Sequence, residues 1–208
     1  NKLTHDEEAR GLSLADPAVR NRIVKDGFER ALKSRPASFF TPEHAALVTT
    51  GNLEDDFAAV ENADWIIEVI VENLAIKRQL MQRIDAVRAP NTIVSTNTSG
   101  IPIASIAEGL SEGFRKHFLG THFFNPVRYM KLLEIIPGAE TLPAVLAFVS
   151  DFGERRLGKG IVLAKDSPNF VANRIGVFSI LAVMHHTAAF GLGFDEVDAL
   201  TGPRIGRP

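Results

Sequence analysis

Apolar and polar positions recur with two different periods along this chain, and the switches between them mark its elements. Val19, Ile23, Val24, Ala31 and Leu32 fall near one helical face, while Arg20, Arg22, Lys25, Arg30 and Lys33 lie largely elsewhere. Asp16 before Pro17 reads as an N-cap with proline at the first helical position, and Pro36 ends the helix. Residues 48–51 are a candidate short strand before a turn. Residues 64–71 are almost continuously apolar, the pattern of a strand buried in a parallel sheet. Asn73 is placed to cap the next helix, whose stripe is Leu80, Met81, Ile84 and Val87, and residues 92–95 read as the following strand.

A short helical piece over 103–108 precedes two more candidate strands, 118–122 and 131–136, joined by residues 123–130. Paired antiparallel, those two would form an edge of the sheet with a long connection. A helix over 142–157 shows Val145, Val149 and Phe152 on one side, and residues 161–164 form a last strand. From Asn169 onward the pattern is helical, with a break at Gly191-Leu-Gly193 and a short helix over 195–200. Strands alternating with helices predict βαβ units: a doubly wound, largely parallel α/β sheet with helices on both faces. The switch to helix alone near residue 166 sets a domain boundary, giving units over 1–165 and 166–208. No internal repeat or low-complexity tract interrupts this plan.

Composition narrows the classes. The chain has 208 residues, 45% of them apolar and 23% charged, with net charge −2 and no cysteine. That composition argues for a globular protein and against a dominant nucleic-acid footprint. Thiolate nucleophiles, disulfide scaffolds and Cys-ligated metals are excluded. The absence of cysteine fits a reducing cytoplasm. No apolar run approaches the roughly 20 residues that span a bilayer, and no secretory signal opens the chain. The first residue is Asn and residues 201–208 read as a loop, so a fragment of a longer protein is expected.

The candidate chemistry starts from an absence. A dinucleotide-binding sheet of this kind carries G-x-G-x-x-G after its first strand. This sequence has none, and Gly191-x-Gly193 follows a helix, as helix termination does. A phosphate-cradling turn, if the protein has one, is expected before Asn1. No His, Asp or Glu group has metal-ligand spacing, and no Gly-x-Ser-x-Gly elbow is present. His122 ends a candidate strand, where α/β proteins tend to hold ligands, and histidine titrates near working pH. Spacing alone leaves it a lone strand-capping histidine and leaves Glu134 a surface carboxylate. Ser99 and Asn125 are ordinary turn residues on the same terms. Glu72 would end a strand, and Lys77 would be a solvated helix residue. Asn173, inside a helix where its propensity is poor, hints at a job for its amide.

Four segments carry a resemblance: Val69-Ile-Val-Glu-Asn73 with Lys77; Ser95-Thr-Asn-Thr-Ser99; Gly120-Thr-His-Phe-Phe-Asn-Pro126 with Met130-Lys-Leu-Leu-Glu134; and Lys165-Asp-Ser-Pro-Asn-Phe-Val-Ala-Asn-Arg174. In this order and spacing the chain resembles the L-3-hydroxyacyl-CoA dehydrogenase family over residues 60–208. The resemblance implies a Rossmann-like doubly wound sheet lacking its first strands, followed by the start of an all-α second domain. It implies NAD as cofactor and an acyl-CoA as substrate. On that basis His122 is the catalytic base and Glu134 its partner. Ser99 contacts substrate and nicotinamide, and Asn173 contacts substrate. Asn125, Glu72, Lys77 and the backbone at Ile70 and Val71 contact NAD. The basic residues between Arg20 and Arg35 read by default as the wet face of a helix. The sequence around residues 1–4, 152–158 and 198–203 is similar to long bacterial multifunctional members of the family. In those an enoyl-CoA hydratase domain follows on the same chain, and the helical domain of the family mediates dimerisation. Two alternatives stay open: another β-hydroxyacid dehydrogenase, whose catalytic group is typically lysine, and a non-catalytic relative of the same fold. The 208 residues alone are expected to be poorly active or inactive.

Overall fold

The computed structural model describes residues 2–202. Three helices come first: α1 (His5–Ala9), α2 (Pro17–Arg20) and α3 (Arg22–Lys33). Then follow β1 (Trp65–Glu68), α4 (Leu74–Val87), β2 (Ile93–Thr96), α5 (Ile103–Ala107), α6 (Glu112–Lys116) and β3 (Phe118–Phe123). The series ends with β4 (Leu132–Pro137), α7 (Pro143–Arg155), β5 (Gly160–Leu163), α8 (Ala172–Phe190) and α9 (Phe194–Thr201).

The five strands form one sheet in sequence order. β1, β2 and β3 run parallel, β3 and β4 antiparallel, and β4 and β5 parallel. Successive side chains in a strand point to opposite faces, so each strand feeds two cores. Val94, Phe118 and Ile136 turn to the face covered by Met81 and Ile84 of α4, Ile103 and Ile106 of α5 and Phe114 of α6. Ile93, Leu119, Leu133 and Ile135 turn to the face covered by Val145 and Val149 of α7. Each of these fully buried aliphatic or aromatic side chains is worth roughly 1.5–3 kcal/mol relative to exposure. The sheet is therefore doubly wound, as the sequence pattern predicts.

The expected elements from residue 64 onward are present with small shifts. Asn73 caps α4 by accepting the Ile76 N–H at 3.1 Å, and Met81 and Ile84 of the predicted stripe are buried. Several expectations need correction. The strand over 64–71 shortens to β1, which lies at the sheet edge and leaves Ile67 exposed. The β3–β4 pair is antiparallel but internal, because β5 adds alongside β4. Residues 48–51 form no strand, since no neighbouring strand offers them a ladder. The first predicted helix is broken at Asn21, and Asp16 bonds Ser13 rather than capping it. Its apolar face buries Val19, while Ile23 and Leu32 stay exposed.

The last helical stretch begins at Ala172 rather than Asn169, because Asn169 and Phe170 have φ of 62° and 47°. Gly191 ends α8 in the left-handed conformation that glycine adopts without steric cost. The expected loop at 203–208 lies outside the described residues. Among the described residues no helix is long and apolar enough to cross a membrane, and no group of His, Asp and Glu could hold a metal.

Candidate active site

The carboxyl ends of β1, β2 and β3 converge, as open α/β sheets arrange their ligand crevices. At the β3 end, antiparallel register places His122 directly opposite Glu134 of β4. Cross-strand partners point to the same face, so the two side chains meet. His122 Nδ1 lies 2.7 Å from Glu134 Oε2, and both residues are buried. A carboxylate accepts, so the proton on this edge belongs to Nδ1, and in the neutral imidazole that leaves the Nε2 lone pair facing out. Ser99 Oγ sits 3.2 Å from that nitrogen. The rings of Phe124 and Phe170 flank the imidazole at 4.5 and 5.6 Å between centroids.

Glu134 is held on its other side too. Its Oε1 accepts the N–H groups of Val171 and Ala172 at 2.9 and 2.8 Å. The Ser99 turn is anchored separately. Glu72 Oε1 accepts the N–H groups of Ser99 and Gly100 and the Thr98 hydroxyl. Partial burial pushes the Glu72 carboxyl up. The bonds from Thr98 and Ser99, the nearby Lys77 ammonium and the Gly100 N–H outweigh that and hold it below its ordinary value. Asn173 Nδ2 reaches the Ser99 carbonyl at 3.4 Å. Asn97 Oδ1 accepts the Phe123 N–H, tying the β2 and β3 ends together.

At the β1 end lies a second buried ion pair. Lys77 Nζ donates to Glu68 Oε1 at 2.8 Å and approaches Glu72 Oε2 at 3.4 Å. Glu68 also accepts the Ile70 N–H at 2.6 Å and the Thr96 hydroxyl at 2.6 Å. Lys77 is 1% exposed, which corrects its reading as a solvated helix residue and turns its charge into the protein rather than outward. Spacing carried this signal, since Lys77, Met81 and Ile84 fall at i, i+4 and i+7 on the buried face.

His122, Glu134, Ser99, Glu72 and Asn173 are thus brought into one linked network. Asn125 precedes a cis bond to Pro126 in the loop after β3, apart from that network. Of the backbone expected to matter at 70 and 71, Ile70 N–H is taken by Glu68 and Val71 C=O by Asn73. Ile70 C=O accepts from Lys77 Nζ at 3.4 Å, which leaves the Val71 N–H to serve a ligand, on a shelf where Val69 and Val71 expose apolar side chains. Sequence reading missed Glu68 and Thr98; a carboxylate inside the apolar run of β1 was the signal for the first, because a buried charge requires a partner.

A family model described as 3-hydroxyacyl-CoA dehydrogenase, NAD binding domain, matches residues 15–167. A probable 3-hydroxyacyl-CoA dehydrogenase of Bacillus subtilis is 50% identical over the whole chain, which spans 26% of that relative. A second, of Deinococcus radiodurans, is 48% identical over 93% of the chain and 56% of the relative. Among solved structures, (S)-3-hydroxybutyryl-CoA dehydrogenase from Ralstonia eutropha is similar with a TM-score of 0.70 and 28% identity, over 87% of this chain and 63% of that one. The chain therefore spans between about a quarter and two thirds of the length of these relatives.

Proposed function

The chain belongs to the 3-hydroxyacyl-CoA dehydrogenase family through its NAD-binding domain, and on that premise we propose that its full-length protein oxidises (S)-3-hydroxyacyl-CoA to 3-oxoacyl-CoA, with His122 as general base. One observation carries the reading: His122 has its Nδ1 on a buried carboxylate and its Nε2 facing a hydroxyl that a substrate can replace or join.

The residues at the β1 and β2 ends fit the nicotinamide side of NAD. An apolar shelf at Val69 and Val71, with the Val71 N–H to spare, suits a flat ring bearing a carboxamide. Ile70, Val71, Glu72 and Ser99 would line that side. Lys77 would act there through Glu72, since its ammonium is committed to the two carboxylates. The cofactor supplies the acceptor for hydride from the carbinol carbon.

The protein's own groups do the rest. Ser99 Oγ and His122 Nε2 together bind the substrate hydroxyl, and Nε2 takes its proton as hydride leaves. Glu134 fixes the imidazole tautomer and stabilises the imidazolium that forms. Asn173, set across from the pair on α8, donates to the 3-oxygen or the thioester region. Residues 1–165 would form the cofactor half and 166–208 the start of the helical half. A relative of Rickettsia felis described as a putative fatty acid oxidation complex trifunctional enzyme, 38% identical over 90% of this chain and 26% of that relative, supports the reading of a multifunctional protein, to which a hydratase domain and dimerisation through helices would belong.

The test is oxidation of NADH by the full-length protein with acetoacetyl-CoA, using free acetoacetate as the control substrate. Turnover with the CoA ester alone is expected. Turnover with the free acid would move the reading to a β-hydroxyacid dehydrogenase, and none with either would remove it.

A further inference from the structure

We infer that residues 166–173, the link between β5 and α8, are a positioning clamp that sets the orientation and proton affinity of His122, through the Phe170 ring and through the Val171 and Ala172 N–H groups acting on Glu134. This inference rests on the dehydrogenase reading for its kinetic meaning, though not for its structural one.

Successive residues of the link grip different parts of the site. Asp166 accepts the Ile103 N–H at 2.7 Å and the Ala104 N–H at 2.9 Å, fixing the link to the start of α5. Asn169 lies against the Ser99 turn: a Cβ added at Gly100 would stand 3.2 Å from its Oδ1. Phe170 is 2% exposed and presents its ring to His122. Val171 and Ala172 give their N–H groups to Glu134 Oε1. Asn173 bonds the Ser99 carbonyl.

The backbone conformation of the link marks this as more than a connection. Two consecutive non-glycine residues, Asn169 and Phe170, sit at φ of 62° and 47°. A bulky residue rarely occupies that region, and such conformations persist where the surroundings over-determine them. Here the turn delivers the Phe170 ring to the imidazole and, in the next two residues, both N–H groups to one carboxylate oxygen.

The chemical consequence follows from charge sharing. Two N–H donors on Oε1 stabilise the carboxylate and fix its plane, leaving Oε2 for Nδ1. Removing a donor concentrates the carboxylate charge on His122 and stabilises the imidazolium. The ionisable groups around His122 are few. Glu134 touches it from β4; Glu72 stands behind the Ser99 turn with Lys77 behind it; Arg174 on α8 turns to the Ser167 hydroxyl. None of these changes in the test below.

The experiment replaces Val171 in the full-length protein by its α-hydroxy acid analogue, so that an ester takes the place of the amide. The side chain is kept and one N–H is lost. His122 is then titrated by NMR on protein labelled with 13C-histidine, and the acid limb of kcat/KM for oxidation is recorded. Both are expected to move to higher pH by about half a unit or more. Phe170→Leu, which keeps apolar bulk and loses the ring face, is expected to lower kcat with KM near the parental value. Unmoved titration and unmoved kcat, with only a lower melting temperature, would overturn the proposal by giving the link a purely structural role. If the full-length protein has no activity on 3-hydroxyacyl-CoA, the functional reading falls, while the His122 titration still decides the clamp.

Discussion

Two buried acid–base pairs occupy neighbouring ends of the same sheet, and they are built differently. Lys77 and Glu68, at the end of β1, are closed on every side: Glu68 takes Lys77, the Thr96 hydroxyl and the Ile70 N–H, while Lys77 takes both carboxylates within reach. His122 and Glu134, between β3 and β4, are closed on the carboxylate side and open on the other. Glu134 spends both oxygens inside the protein, but the outward partner of Nε2 is a rotatable serine hydroxyl. The same chemistry therefore leaves no edge for a ligand in one pair and one edge in the other, which is what the proposed reaction requires.

The largest effect expected from breaking this contrast is at the open pair. His122→Gln in the full-length protein should lower kcat by about 10²–10⁴, the usual contribution of a positioned general base, with thermal stability near that of the parent; steady-state kinetics and a melting curve check this together. Next is the closed pair. Lys77→Met strands the Glu68 carboxylate, which is expected to cost about 3–5 kcal/mol of stability, read by denaturant unfolding. The double change Glu68→Leu with Lys77→Leu should recover much of that loss, because a buried ion pair replaced by apolar groups no longer leaves a charge unpaired.

The smallest effect sharpens the role of Glu72, which joins the two pairs through Lys77 and the Ser99 turn. Its carboxyl is held below its ordinary value of 4.5. A depressed carboxyl contributes stability that is fully present above its unfolded value and is lost as pH falls through the folded one. Acid unfolding should therefore draw on Glu72 below about pH 4.5, and Glu72→Gln should flatten the fall in that window. Melting temperature recorded from neutral pH downward checks the slope.

How much of this was legible in the sequence depends on whether the physics is periodic. The stripe of α4, the Asn73 cap and the strands expected over 92–95 and 118–122 follow from spacing and capping, and they hold within one residue. The His122–Glu134 pairing needed antiparallel register, which two strand candidates on either side of a long loop suggested but could not align. Periodicity also misleads where an apolar face has nothing to pack against: α3 keeps its pattern, yet Ile23 and Leu32 are exposed. The Lys77–Glu68 pair was readable in principle from a lysine on a buried face and a carboxylate in an apolar strand. The turn at Asn169 and Phe170 was not, because nothing in those side chains requires a positive φ; tertiary contacts impose it.

The contrast between the pairs is tested most directly by cutting the carboxylate of each in the full-length protein and measuring turnover and unfolding side by side. For Glu134→Gln the account predicts a large fall in kcat with folding retained. For Glu68→Gln it predicts a large fall in stability, with turnover per folded molecule close to that of the parent. Equal losses of turnover from both, or a Glu134→Gln protein that turns over like the parent, would contradict the assignment of chemistry to one pair and scaffold to the other.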